Sequence, residues 1–135
     1  MICTLAGIAG LGVCLFPCSA TTDAFVGTFA IATATSGLLH NISAAIFFVL
    51  LSYNSIFLFT KSTGEKTPSK KKRNIIFIIC GIGMAVSLAW MPISPILGWS
   101  FFGDTWLVEM IGLTFFGISW LTKSNIYPWL FAEKK

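Results

Sequence analysis

The sequence predicts an all-α integral membrane protein, a polytopic transmembrane helix bundle with about four spans. Of the 135 residues, 56% are hydrophobic and only 10% are charged, and the apolar residues form long continuous runs. A soluble domain has about 25% charged residues, so this chain has too little polar surface to face water. The runs are continuous rather than alternating, which excludes a transmembrane β-barrel and leaves helices to satisfy the backbone in lipid.

Four apolar stretches are each assigned one span. A helix rises about 1.5 Å per residue, so a hydrocarbon core of about 30 Å needs roughly 20 residues. The first stretch is short, but it lacks the basic start of a signal peptide and is interpreted as a transmembrane helix. The predicted spans are approximately 2–16, 37–60, 74–91 and 105–121.

The segments between these spans differ in composition. Residues 25–36 are uncharged and rich in Thr and Ala, and we expect them to be interfacial or re-entrant because 25–59 is too long for one crossing. Residues 61–73 form a turn-rich basic loop. Residues 92–104 carry two prolines and two glycines and are predicted to form a loop with interfacial aromatic side chains.

The distribution of the basic residues predicts the orientation. All nine Lys and Arg side chains lie in 61–73 or 123–135, and the other connecting segments have none. The positive-inside rule therefore predicts that both of these segments, and with them both termini, are cytoplasmic, in a membrane that we expect to be the bacterial inner membrane. Candidate contacts to anionic lipid headgroups are Lys70, Lys71, Lys72 and Arg73.

Two ionisable residues inside the predicted spans, His40 and Glu109, are candidates for a polar site. The predicted topology puts each about one turn inside the outer membrane surface, so the two could meet, with Asp23 and Asp104 in the loops above them. Ionisable side chains in a bilayer usually face the bundle interior and mark functional positions. An imidazole beside a carboxylate could bind a metal, relay a proton or act as a base.

Structural interpretations of the same four residues stay open. His40 and Glu109 could each be interfacial residues that reach the headgroups. Asp104 precedes a predicted helix and is expected to be its N-cap, and Asp23 is expected to be an ordinary loop residue.

The sequence offers little support for catalysis. It has no HExxH motif, no glycine-rich phosphate loop and no second histidine, so no catalytic residue, metal site or cofactor is predicted. The four cysteines have no CxxC spacing. Ala6, Gly10, Cys14 and Cys18 recur every fourth residue, which is typical of a surface for close helix packing.

A series of local patterns resembles a known group of proteins. The patterns are LFP at 15–17, GLLHNISAAIFF at 37–48, KKRNIIFIICGIGM at 71–84 and VEMIGLTFFGISWLTK at 108–123. They resemble small, uncharacterised bacterial polytopic membrane proteins and, more distantly, the Frag1/DRAM/Sfk1 superfamily. This resemblance implies an association with lipid-linked membrane processes and points to Asp23, His40 and Glu109. The chain has fewer spans than the six-helix members of that superfamily.

Three functions follow from these observations. The first is an outward-facing polar site for a lipid headgroup or other amphiphile. The second is a structural or accessory subunit of a larger membrane complex, and the third is a small proton-coupled transporter that depends on Glu109. An enzyme is the least favoured. The expected partners are membrane lipids, with other membrane subunits or further copies of the chain as candidates, and no nucleic acid.

Overall fold

A computed structural model describes residues 1–18, 25–62, 67–98 and 105–124. Within these ranges the chain is helical apart from one short hairpin, which confirms the all-α class. The elements are α1 (Ile2–Leu15), β1 (Phe25–Val26), β2 (Ile31–Ala32), α2 (Thr33–Tyr53), a π-helical turn (Asn54–Leu58), α3 (Pro68–Ile96) and α4 (Thr105–Lys123).

Among the described residues, three helices are long and apolar enough to cross a membrane, which makes the chain an integral membrane protein. They cover Thr33–Leu58, Pro68–Ser94 and Thr105–Lys123. α1 is apolar but has only 14 residues, which rise about 21 Å against a hydrocarbon core of about 30 Å. A fourth crossing by α1 therefore stays a prediction.

The chain divides into two compact units, Met1–Leu50 and Leu51–Lys135, and the division falls within α2. In the first unit, α1 runs antiparallel to the first part of α2. A Cβ atom on Gly10 would lie 3.3 Å from the Phe47 ring, and one on Gly12 would lie 3.0 Å from the Ser43 Cβ. Small residues let the two backbones approach closely. Of the small residues that recur every fourth position, Ala6 is buried and Gly10 faces Phe47, whereas Cys14 is exposed.

The β-hairpin closes the first unit at the C-terminal end of α1. Phe25 pairs with Ala32 and Val26 with Ile31, and the Phe29 ring lies 6.0 Å from that of Phe16. Gly27 has a φ of 77°, and a Cβ there would lie 2.9 Å from Pro17 Cδ, so both the conformation and the contact require glycine. The hairpin occupies much of the segment predicted to be interfacial or re-entrant.

The second unit packs three helical segments together. Ser52 and Ser55, at the end of α2 and in the π-helical turn, donate hydrogen bonds to the carbonyl oxygens of Gly81 (2.7 Å) and Phe77 (2.8 Å) in α3. The Ser55 hydroxyl also lies 2.7 Å from that of Ser119 in α4. The antiparallel helices α3 and α4 also contact each other at Gly83, which the Phe115 ring covers. A Cβ atom on Gly83 would lie 2.6 Å from that ring.

α3 extends at both ends beyond the residues predicted to form the third span, 74–91. It begins at Pro68, within the segment that the sequence assigned to a loop, because Thr67 caps its first turn and proline fits the first helical position. It continues past Pro92 to Ile96, although that proline has no N–H for the helix. Membrane helices tolerate such a break. α2 begins at Thr33, earlier than the predicted start near Gly37, whereas α4 begins at the predicted Thr105.

Polar and apolar residues are distributed as expected for a chain surrounded by lipid. The buried polar side chains are mostly small: Ser36, His40, Ser52, Asn54, Ser55, Asn74, Ser87, Ser94, Ser119 and Thr122. Many large aliphatic side chains on the same helices are exposed, such as Ile42, Ile79 and Leu113. Between membrane helices, small and hydroxyl side chains make the contacts, because lipid already solvates the aliphatic ones.

Candidate functional site

His40 lies on α2 and binds the C-terminal end of α1. Its side chain is buried, and Nδ1 donates to the carbonyl oxygens of Phe16 (2.8 Å) and Val13 (3.2 Å). Because both partners are acceptors, Nδ1 carries a proton in this arrangement. One turn earlier on α2, the Ser36 hydroxyl donates to the Pro17 carbonyl at 2.9 Å.

The need for these donors arises in the sequence of α1. In a continuing helix, the carbonyl of Val13 would accept from the N–H of residue 17, but Pro17 has none. The last carbonyls of any helix lack intrahelical partners, and in lipid each unsatisfied group costs several kcal/mol. His40 and Ser36 provide the missing donors, and the geometry thus gives His40 a definite structural role.

The predicted pairing of His40 with Glu109 stays a prediction. Glu109 is half-buried in α4, in the second unit, whereas His40 belongs to the first. The other two members of the predicted polar site, Asp23 and Asp104, lie outside the described residues. In the described ranges, no group of three or more His, Cys, Asp or Glu side chains could hold a metal.

The basic residues at the start of α3 differ in their environments. Lys70 Nζ donates to the Phe59 carbonyl at 2.8 Å and lies 5.6 Å from the centre of the Phe77 ring. Arg73 is half-buried, and Lys71 and Lys72 are exposed. Successive helical residues are about 100° apart, so these four cations surround the helix, and Lys70 lies opposite Lys72.

A fifth cation joins this end of the second unit from α4. Lys123 Nζ lies 5.3 Å from the centre of the Phe59 ring, which also contacts Phe77 and Trp120. Phe59 thus meets one ammonium through its carbonyl and another through its ring, where the quadrupole attracts cations. Nothing in the sequence signals this cluster, because 64 positions separate Phe59 from Lys123 along the chain.

The first turn of α3 is electrostatically suited to an anion. It contains no acidic residue, and the helix dipole places partial positive charge where Lys70, Lys71 and Lys72 lie. In the sequence, the two basic segments 61–73 and 123–135 hold nine Lys or Arg residues against two Glu residues. A phosphate here would offset both the dipole and the excess of positive charge.

An apolar groove of about 500 Å³ lies between α3 and α4. The residues that line it are Ile79, Ile82, Gly83, Val86, Ser87, Trp90, Val108, Ile111 and Phe115. The hydroxyl of Ser87 donates to the Gly83 carbonyl at 2.9 Å, so it is already satisfied within its own helix. The groove therefore offers a mainly hydrocarbon surface, in the size range of small-molecule pockets.

Comparison with protein family models, with curated proteins and with solved structures gave no match. The resemblance to the Frag1/DRAM/Sfk1 superfamily therefore stays an expectation from the sequence.

Proposed function

We propose that this integral membrane protein binds an anionic lipid, with the phosphate of the lipid at the basic end of α3. The observation that carries the proposal is that the cations differ in their environments. Lys70 and Lys123 are engaged with Phe59, whereas Lys71 and Lys72 are exposed beside the capped first turn. The engaged pair fixes the end of the helix, and the exposed pair contacts the phosphate.

The proposal keeps the predicted amphiphile-binding function and assigns it to another part of the chain. The sequence suggested an outward-facing site at His40, but the imidazole Nδ1 of that residue is hydrogen-bonded to the end of α1. The basic end of α3 combines positive charge, a helix N-terminus and a neighbouring apolar groove. Each of these features attracts one part of an anionic amphiphile.

Lipid titration in nanodiscs tests this assignment. Each Lys near an anionic surface contributes about 1 kcal/mol, so replacing Lys71 and Lys72 with Gln should weaken binding of phosphatidylglycerol about 30-fold. The matched control replaces Lys61 and Lys66, which removes the same charge from the same segment of the sequence. An equal loss in both double variants would indicate general surface attraction and contradict a site.

The proposed topology has four spans with both termini in the cytoplasm of a bacterial inner membrane. It is supported by the charge distribution and by the antiparallel packing of α1 on α2. A variant that retains only Cys3 of the four cysteines should react with a membrane-impermeant maleimide after permeabilisation and not in intact cells. Labelling in intact cells would place Cys3 outside the cytoplasm and contradict this topology.

A second candidate function, a subunit of a larger membrane assembly, is favoured by the outer face of α1. Cys3, Gly7 and Cys14 are small and exposed, and a Cβ on Gly7 would meet nothing within 4 Å. Another membrane helix could approach closely there. If a partner helix covers this face, Gly7→Leu should release it during purification in mild detergent, whereas Ile8→Leu on the neighbouring exposed position should not.

A further inference from the structure

We propose that the groove between α3 and α4 holds the hydrocarbon chain of the bound lipid, and that this chain is longer than one leaflet of the bilayer. The inference rests on the proposed function, since it takes the anionic headgroup at Lys71 and Lys72 as its starting point. The class of ligand that it names is a single-chain, long isoprenoid phosphate.

The first step is the alignment of the cation with the groove. Lys72 lies about two helical turns before Ile79, the first lining residue, and therefore on the same face of α3. The same face continues through Ile82 and Val86 to Trp90. Lys70 is on the opposite face, where it contacts Phe59. A headgroup at Lys72 thus has its chain directed along the groove.

The second step is the length of the path. At about 1.5 Å per residue, Ile79 lies about 10 Å from Lys72 along the helix axis, and Trp90 lies about 27 Å from it. One leaflet contributes about 15 Å of hydrocarbon. An ordinary acyl chain that starts at the level of Lys72 would therefore end near Ile82 and Gly83. Only a longer chain reaches the half of the groove beside Trp90.

The third step is the chemistry of the lining. The groove has no acidic or basic side chain, and its single hydroxyl, that of Ser87, is bonded to the Gly83 carbonyl. A polar ligand would lose hydrogen bonds there without regaining them. The branched side chains of Ile79, Ile82 and Val86 present an irregular surface, and a flexible methyl-branched chain can make the close dispersion contacts that bind partners within a membrane.

Chain length and groove access can be tested independently in phosphatidylcholine nanodiscs. We expect undecaprenyl phosphate to bind about tenfold more tightly than farnesyl phosphate, whose chain is too short to pass Ile82. Ile82→Trp should fill the groove and abolish this preference. Ile78→Trp is the matched control, because Ile78 is 42% exposed on the same helix, comparable to 52% for Ile82, and does not line the groove. Val86→Trp provides a second groove variant.

The outcomes separate this inference from the proposed function. Equal affinity for the two isoprenoid phosphates, with the dependence on Lys71 and Lys72 retained, would overturn the groove assignment and leave the headgroup site intact. Loss of that dependence would overturn both. A ligand-free protein that is dimeric, and that Ile82→Trp converts to a monomer, would show that a second copy fills the groove and would also overturn the inference.

Discussion

The two units use polar side chains for different purposes. In the first unit, His40 and Ser36 on α2 donate to main-chain carbonyls at the end of α1, where Pro17 has interrupted the helix. In the second unit, Ser52 and Ser55 bind carbonyls within α3, where the helix is continuous. The first set satisfies main-chain carbonyls that a helix end leaves without N–H donors. The second set links helices whose carbonyls already have donors within the helix. Substitutions in the first unit should therefore cost more than those in the second.

The largest expected effect is that of His40→Ala. It removes the donor to Val13 and Phe16, and a buried group left unsatisfied costs about 1–3 kcal/mol, so we expect a loss of about 3 kcal/mol in unfolding free energy. Reversible unfolding in mixed micelles measures this loss. His40→Gln retains a donor and should restore part of it. If His40→Ala is as stable as the natural chain, then the hydrogen bonds of His40 do not stabilise the end of α1.

The next effect is steric and belongs to the second unit. A Cβ on Gly81 would overlap the Ile56 side chain and lie 3.2 Å from the Ser52 carbonyl oxygen, so Gly81→Ala should cost about 2 kcal/mol through overpacking. Gly117 has nothing within 4 Å of its Cβ position. Gly117→Ala should instead stabilise α4 by up to about 1 kcal/mol. If Gly81→Ala and Gly117→Ala changed the free energy of unfolding in the same direction, that result would contradict this packing.

The smallest effect is expected for Ser55→Ala. Hydrogen bonds between membrane helices contribute about 0.6 kcal/mol on average and about 1.7 kcal/mol at most, because the separated helices also find partners. Ser55 contacts both Phe77 and Ser119, and a double-mutant cycle with Ser119→Ala isolates their coupling. The exposed Thr114, which donates to the Met110 carbonyl of its own helix, provides the control. A loss for Ser55→Ala larger than that for His40→Ala would reverse the comparison between the units.

The helical class could be predicted because the length of the hydrophobic runs decides it. α3 begins at Pro68, before the predicted span of 74–91, because Thr67 and Pro68 start the helix within the basic segment. α3 also continues past Pro92, beyond the end of the predicted span, since a proline breaks helices in water more readily than in lipid.

The candidate site was only partly predictable, because it depends on contacts between distant positions. The sequence predicts that Lys70 to Arg73 contact lipid headgroups, but nothing in their order shows that Lys70 packs on Phe59 while Lys72 is exposed. The role of His40 did leave a local signal. Pro17 has no N–H to donate to the Val13 carbonyl, and that missing donor implies a partner elsewhere in the chain.

The four successive cations of α3 act differently on the depth of that helix in the membrane and on its rotation about its own axis. Because their side chains surround the axis, the electrostatic attraction to a membrane surface is nearly unchanged when the helix spins, although it opposes any sinking into the hydrocarbon. Attraction to a membrane surface therefore acts on the depth of α3 more than on its azimuth. The azimuth is set by direct contacts with neighbouring segments, those of Ser52 with Gly81, of Ser55 with Phe77 and of Lys70 with Phe59. Immersion and rotation can thus be altered separately, by substitutions in different parts of the same helix.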